Sequence, residues 1–331
     1  MKQLSYADAL PRLTLQADKV RAYDDDFVPD QGWRAIWRVW GEQAPAFLYG
    51  HSFLLLKPET LARRLAQTVF DFVVDRGFVP VATASVPISR SAAHHLWRFQ
   101  WNAATTDRVE LTNLVNARSE SMLIVLRDMV AGPVPTAIKL WKMKGSAYAH
   151  RRTEEHLRTA LGMHSRMLGF VHTPDEPADL VRELSILLDP RALTQLLRAA
   201  IAATPDRDAL HLRTCRSAAL DFQARCAPHS VDPSEVMERR APWSKHPIAS
   251  EVWSALKNCR RMGLSTILDA LSSGSNDALD WDVLTLAAEL IEHDKTGVSA
   301  RLDARAVGEM HRRWSESFDK VQTSTGSASH A

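Results

Sequence analysis

Two short segments, more than a hundred residues apart, constrain the fold of this chain most. Phe53-Leu54-Leu55-Leu56-Lys57-Pro58-Glu59 and Leu168-Gly169-Phe170-Val171-His172-Thr173-Pro174-Asp175 each run from apolar residues to a reactive polar side chain and then to a helix start. An unbroken apolar run of this length suits a strand buried in a sheet, and a proline directly after the polar residue suits the first turn of a helix. Two such strand ends side by side deliver a lysine and a histidine into one pocket, an arrangement suited to phosphoryl transfer.

The residues between them alternate between the two periodicities. Phe53 to Leu56 reads as a strand; Thr60 to Arg76 places Leu61, Leu65, Val69, Phe72 and Val73 on one helical face, and Gly77 ends it. Phe78 to Ile88 is extended, with Pro80 and Pro87 confining it to a sheet edge or to positions beyond the ladder. Ser91 to Ala117 is mostly helical, Met122 to Leu126 is a strand, Val134 to Lys144 a helix, Met167 to Val171 the fourth strand and Pro177 to Leu188 a final helix. The order is βαββαβ with one added helical excursion, which predicts an α+β, ferredoxin-like antiparallel sheet with helices on one face.

Four regions follow: a helical extension over 1–49, the mixed domain over 50–190, an all-α domain over 191–321 in which strand signals stop, and a tail over 322–331 with almost nothing to bury, read as disordered. In the first region Trp33, Trp37 and Trp40 share a helical face, read as a packing stripe, and the run Asp24-Asp25-Asp26 reads as a solvated helix start.

Composition removes several function classes. With 331 residues, 45% hydrophobic, the chain can bury one large core or two moderate ones, and a formal charge of +2 provides no global basic field. Arginine pairs such as Arg239-Arg240 and Arg312-Arg313 read as solvated helix faces, so nucleic acid is not an expected partner. No run approaches the roughly 20 uncharged residues that span a bilayer, and no membrane is expected. Three cysteines without paired spacing suggest reduced thiols and a cytoplasmic protein; Cys226 and His229 lack the second pair that a zinc site needs.

Over roughly residues 50 to 190 the chain resembles the nucleoside diphosphate kinases. Phe53-Leu54-Leu55-Leu56-Lys57-Pro58 stands where that family has an apolar strand and Lys-Pro-Asp, and Gly77-Phe78 where a glycine and an aromatic open its second strand. Phe170-Val171-His172-Thr173-Pro174-Asp175 resembles its strand ending in His-Gly-Ser-Asp, with Ala178 and Arg182-Glu183-Leu184 in place of the following Ala and Arg/Lys-Glu-Ile.

The resemblance implies ping-pong transfer of a γ-phosphate through a phosphohistidine at His172, oriented by Glu183. Lys57, Arg158, Arg108, Lys142, Leu114 and Thr173 are then the nucleotide- and phosphate-binding residues, Arg108 with Leu114 by the looser alignment. It further implies ATP or another nucleoside triphosphate, Mg²⁺ carried by the phosphates and by no metal site of the chain, and a homo-oligomer. Lys144 is the other lysine that can stand where Lys142 is placed.

The chain departs from the family at Gly169, where the family has asparagine, at Thr173-Pro174 in place of Gly-Ser, and at Leu96 or Trp97 in place of a tyrosine. These changes fall on the sugar side and suggest a specialised small-molecule acceptor. The alternative is a catalytically weak nucleotide-binding module that regulates the flanking helical regions.

Overall fold

Four apolar residues in succession leave a strand no polar face to turn to water, so Phe53 to Leu56 must be covered on both sides. The computed structural model, which describes residues 5–24, 26, 28–130, 132–241, 247–272, 280–302 and 308–316, shows this. Strand β1 (His51–Leu56) is buried at every position. It lies between β3 (Ser121–Asp128), with Leu55 opposite Leu123, and β4 (Val171–His172), with Leu55 opposite His172. Strand β2 (Phe78–Val86) pairs with β3 at the other edge, and the full order is β2-β3-β1-β4, every pairing antiparallel. The register shifts between Pro80 and Ala82, where a residue without an N–H is tolerated on an edge strand.

Helices cover both faces of the sheet, which corrects the one-faced arrangement expected above. On one side Phe53, Leu55, Leu123 and Val125 share a core with the helices Val28–Trp40, Pro177–Leu187 and Pro190–Ala202. On the other, Leu54, Leu56, Ile124 and Leu126 pack with Ala66–Val74 and Asp208–Arg225. Packing therefore does not break at residue 190, because the first two helices beyond it complete the two faces of the sheet. A third core holds the helices Pro233–Arg239, Pro247–Lys257, Leu264–Ser272 and Trp281–Leu290 against Leu111, Val115, Met167 and Leu168. Trp33 is buried in the first core with Trp37 and Trp40 against it, as a packing stripe requires. The tail at 322–331 lies outside the described residues. Asp25 and the side chain of Asp24 do also, while Asp26 is buried and pairs with Arg182 and Arg98, so it is no solvated helix start.

Two local departures share a cause. The helix expected over Thr60 to Arg76 is broken into Pro58–Ala62 and Ala66–Val74, with Arg64 in the left-handed region at φ 61°. The fourth strand is only Val171–His172, because Phe170 at φ 59° turns the chain just before it and sends Met167 and Leu168 into the third core. A non-glycine residue in that region persists only when its surroundings hold it there.

The helices Val28–Trp40 and Pro177–Leu187 meet at Gly32, where a Cβ would stand 1.9 Å from Ser185 Oγ and 2.6 Å from the Val181 carbonyl oxygen. Gly32→Ala is expected to cost about 1–3 kcal/mol in urea unfolding by forcing the helices apart. Adding Ser185→Ala should recover only part of that loss, since the Val181 carbonyl remains; full recovery would show that the backbone approach is unimportant.

Candidate functional site

The adjacent ends of β1 and β4 bring Lys57 and His172 to one place. Lys57 N donates to Phe170 O at 2.9 Å, and Thr60 Oγ1 donates to the same carbonyl. Glu59, fully buried, accepts from Lys57 Nζ at 2.8 Å and from Phe170 N at 3.0 Å. The Lys57-Pro58-Glu59-Thr60 turn thus holds Phe170 in its strained conformation and fixes where the ammonium points. A Cβ at position 169 would lie 3.5 Å from an Arg158 terminal nitrogen and 3.9 Å from Lys57 Nζ, so the smallest residue stands where the two cations approach the chain.

His172 Nε2 lies 2.7 Å from Glu183 Oε2, on the helix Pro177–Leu187. Nδ1 is the ring nitrogen that Glu183 does not engage. The imidazole is edge-on to the Trp97 indole, ring centres 6.0 Å apart. Burial first, then Lys144, with Arg158 and Lys57 behind them, pushes the His172 pKa down to about 3, and the ring is neutral at pH 7. Burial and the nearby Asp179 push Glu183 well above the usual carboxylate value, against Arg182, Lys144 and Lys19. The 2.7 Å bond can carry its proton on either partner.

Arg158 donates to three carbonyls, Gly169 at 3.2 Å, Gly145 at 3.0 Å and Val171 at 3.1 Å, and so ties the loop ahead of it to β4. Burial and then Arg152 push its pKa down to about 10, which leaves it charged. Lys144 is buried with Nζ 3.5 Å from the Thr173 carbonyl oxygen, and its pKa is pushed down to about 8 by burial and by Arg158.

These side chains surround a cleft of about 170 Å³ lined by His172, Lys57, Arg158, Arg108 and Arg166, with Trp97 and Trp101 along its wall. Among the described residues lining it, none is acidic. Four cationic side chains beside a neutral imidazole, offset in part by Glu59 on Lys57 and by Asp294 between Arg108 and Arg166, leave a net positive place for a polyanion.

The remaining candidates lie elsewhere. Lys142 is exposed, and Lys144 takes the position near His172; two residues apart on a helix are about 200° apart, so only one of the pair can face inward. Leu114 packs at the edge of the third core and does not line the cleft. Thr173 is fully buried and its hydroxyl has no partner, so it does not support the Glu183 carboxylate.

Arg166 was missed, and its only signal in the sequence is that it closes a basic stretch running through Arg151, Arg152 and Arg158. Cys226 Sγ contacts the Phe222 carbonyl, while His229, Asp280 and Asp282 do gather within metal-ligand distance. Arg239 and Arg240 pair with those carboxylates, however, and against the upward push of burial the bonds from Arg239, Arg240 and His229 bring Asp282 down to about 2. That cluster is already neutralised by the protein.

Comparison with family models and with curated proteins finds no match. Among solved structures the chain is similar to an NDP kinase from Pyrobaculum aerophilum at 16% identity and a TM-score of 0.34, over 44% of this chain and 98% of that one. A likeness of that size places no residue, and the geometry above stands without it. No helix among the described residues is long and apolar enough to cross a membrane.

Proposed function

We propose that the chain is a phosphotransferase that takes the γ-phosphoryl group of a nucleoside triphosphate onto His172 and passes it to a nucleotide-like or specialised small-molecule acceptor. The observation that carries this reading is a neutral imidazole, held through Nε2 by a buried carboxylate, at a cleft with four cations and no acidic lining residue. The resemblance of the strand-end motifs to the nucleoside diphosphate kinases supports it. So does the strand order, which fits a ferredoxin-like sheet of that family's type.

In the first half-reaction the Nδ1 lone pair attacks the γ-phosphorus, an N–P bond forms, and the bond to the bridging oxygen breaks to release the diphosphate. The ring gains positive charge as the bond forms. Glu183 beside Nε2–H offsets that charge, and its raised pKa allows it to take the proton across the 2.7 Å bond. Lys57 and Arg158 lie where negative charge spreads over the moving phosphoryl oxygens. The second half-reaction reverses these steps with the acceptor's oxygen as nucleophile. A Mg²⁺ carried by the phosphates would, when bound, neutralise part of their charge.

A second reading, a nucleotide-binding module with little turnover, is favoured by one observation. The unengaged Thr173 hydroxyl and the indole of Trp97 leave the His172–Glu183 pair without two of the supports that the family's motifs supply. Incubation with γ-labelled ATP and Mg²⁺ separates the two. Transfer gives an acid-labile, alkali-stable label on the protein, whereas binding without label supports the module.

The pH dependence of that label follows from the shifts. With His172 at about 3 the nucleophile stays neutral, so labelling should hold nearly level from about pH 5 to about pH 7, with at most a shallow step where Asp175, pushed up by burial to about 6, ionises. Above about 8 it should decline as Lys144 loses its charge. A fall on acidification with a midpoint at the ordinary histidine value would show that the ring is not held neutral.

A further inference from the structure

The segment after the helix Trp281–Leu290 returns to the wall of the cleft. Thr105 N donates to His293 O at 3.2 Å, Lys295 N to Ala103 O at 2.8 Å and Arg301 N to Phe99 O at 2.9 Å, and Ala104 forms an antiparallel bridge with Asp294. The bridge sets the Asp294 carboxylate between two guanidiniums. One oxygen takes Arg108, and the other takes Arg166 at 2.8 Å. Both arginines line the cleft and Asp294 does not. Arg166 Nε is buried without a hydrogen-bond partner.

We propose that Asp294 is a specificity-determining residue that sets the charge of the outer end of the cleft. Two guanidiniums and one carboxylate carry a single net positive charge, so that end attracts a phosphate less strongly than a bare arginine pair. Lys57 and Arg158 at the inner end hold the phosphates, and the outer end favours the less charged part of a ligand. The work of bringing an anion up to a fixed carboxylate grows with the anion's charge, so Asp294 discriminates most against highly charged ligands. Tyr148, 4.1 Å from the Arg166 guanidinium, holds that arginine independently of Asp294.

The proposal rests on the reading of the cleft as a polyphosphate site, and its test uses binding without transfer. In full-length protein carrying His172→Ala, the affinities of orthophosphate, pyrophosphate and tripolyphosphate are measured by calorimetry with and without Asp294→Asn. The asparagine variant should bind tripolyphosphate about tenfold tighter, pyrophosphate with a smaller gain and orthophosphate with the least, and the gains should shrink as salt is raised. Asp294→Glu should stay within about threefold of its parent, because the charge is kept.

A gain of affinity is a result that damage to the fold does not produce. If the asparagine variant unfolds, Asp294→Ser removes the same charge from a side chain that is 36% exposed, and carries the same expectation. Unchanged or weaker binding, or equal gains for all three anions, would overturn the proposal while leaving the site in place. Failure of both proteins to bind any of the three would overturn the site reading with it.

Discussion

Glu176→Ala is expected to lower the stability of the protein by about 3–5 kcal/mol, a large share of what a domain usually has. Glu176 is fully buried and its carboxylate accepts from Thr14 Oγ1 at 2.6 Å, Leu15 N at 3.1 Å, Gln16 Nε2 at 2.6 Å, Lys19 Nζ at 2.8 Å and Trp314 Nε1 at 3.3 Å. Both ends of the described chain are thereby fastened to the start of the helix that carries Glu183. Truncation strands these donors in a dry interior and leaves Lys19 with Asp179 alone, at 2.7 Å. Glu176→Gln should cost less, since an amide oxygen still accepts. Burial raises the Glu176 pKa, but Lys19 and the donated bonds outweigh it, and the net shift is downward. The stabilisation is therefore complete above the unfolded value of 4.5 and is lost as pH falls through the lower folded value. Urea titrations at neutral pH measure the loss, and a change under about 1 kcal/mol would mean that water replaces the carboxylate.

The larger effect on activity is expected at His172. His172→Ala should reduce the acid-labile label by on the order of a thousandfold or more, because the group that forms the N–P bond is gone. Glu183→Gln should reduce the labelling rate by about ten- to a hundredfold, the usual scale for a residue that orients another. The amide still bonds to Nε2 but offers neither negative charge nor a site for its proton. Thermal unfolding should leave both variants folded at the assay temperature. A Glu183→Gln rate equal to that of the unmodified chain would remove the carboxylate from the mechanism and leave only the imidazole.

Much of this was legible in the chain because it depends on local patterns. The unbroken Phe53 to Leu56 run announced a strand buried in a sheet, though not that helices cover both faces of that sheet, and the polar residue closing each strand announced Lys57 and His172. The register of a lysine beside a histidine then followed from sheet pairing. What stayed hidden was set by tertiary contact. Lys142 and Lys144 have the same chemistry two positions apart, and only packing decides which one turns inward. The shortness of β4 comes from Phe170, whose left-handed backbone is held by Glu59 and Thr60, more than a hundred residues earlier. Arg166 and Asp294 reach the cleft through loops without periodic signal, and neither makes sense until the segment after Leu290 is laid along Phe99 to Thr105. The helices beyond residue 190 read as a separate unit because amphipathic stripes say that a face is buried, but not against what.

Phosphoryl transfer through His172 requires a polyphosphate to enter with its terminal phosphorus facing Nδ1. A crystal structure with a slowly hydrolysed nucleoside triphosphate and Mg²⁺ tests this most directly. The γ-phosphorus is expected within about 3.5 Å of Nδ1, with Lys57 and Arg158 at its oxygens and Glu183 still on Nε2. A triphosphate bound with its γ-phosphate away from His172, or found only outside the cleft, would contradict it.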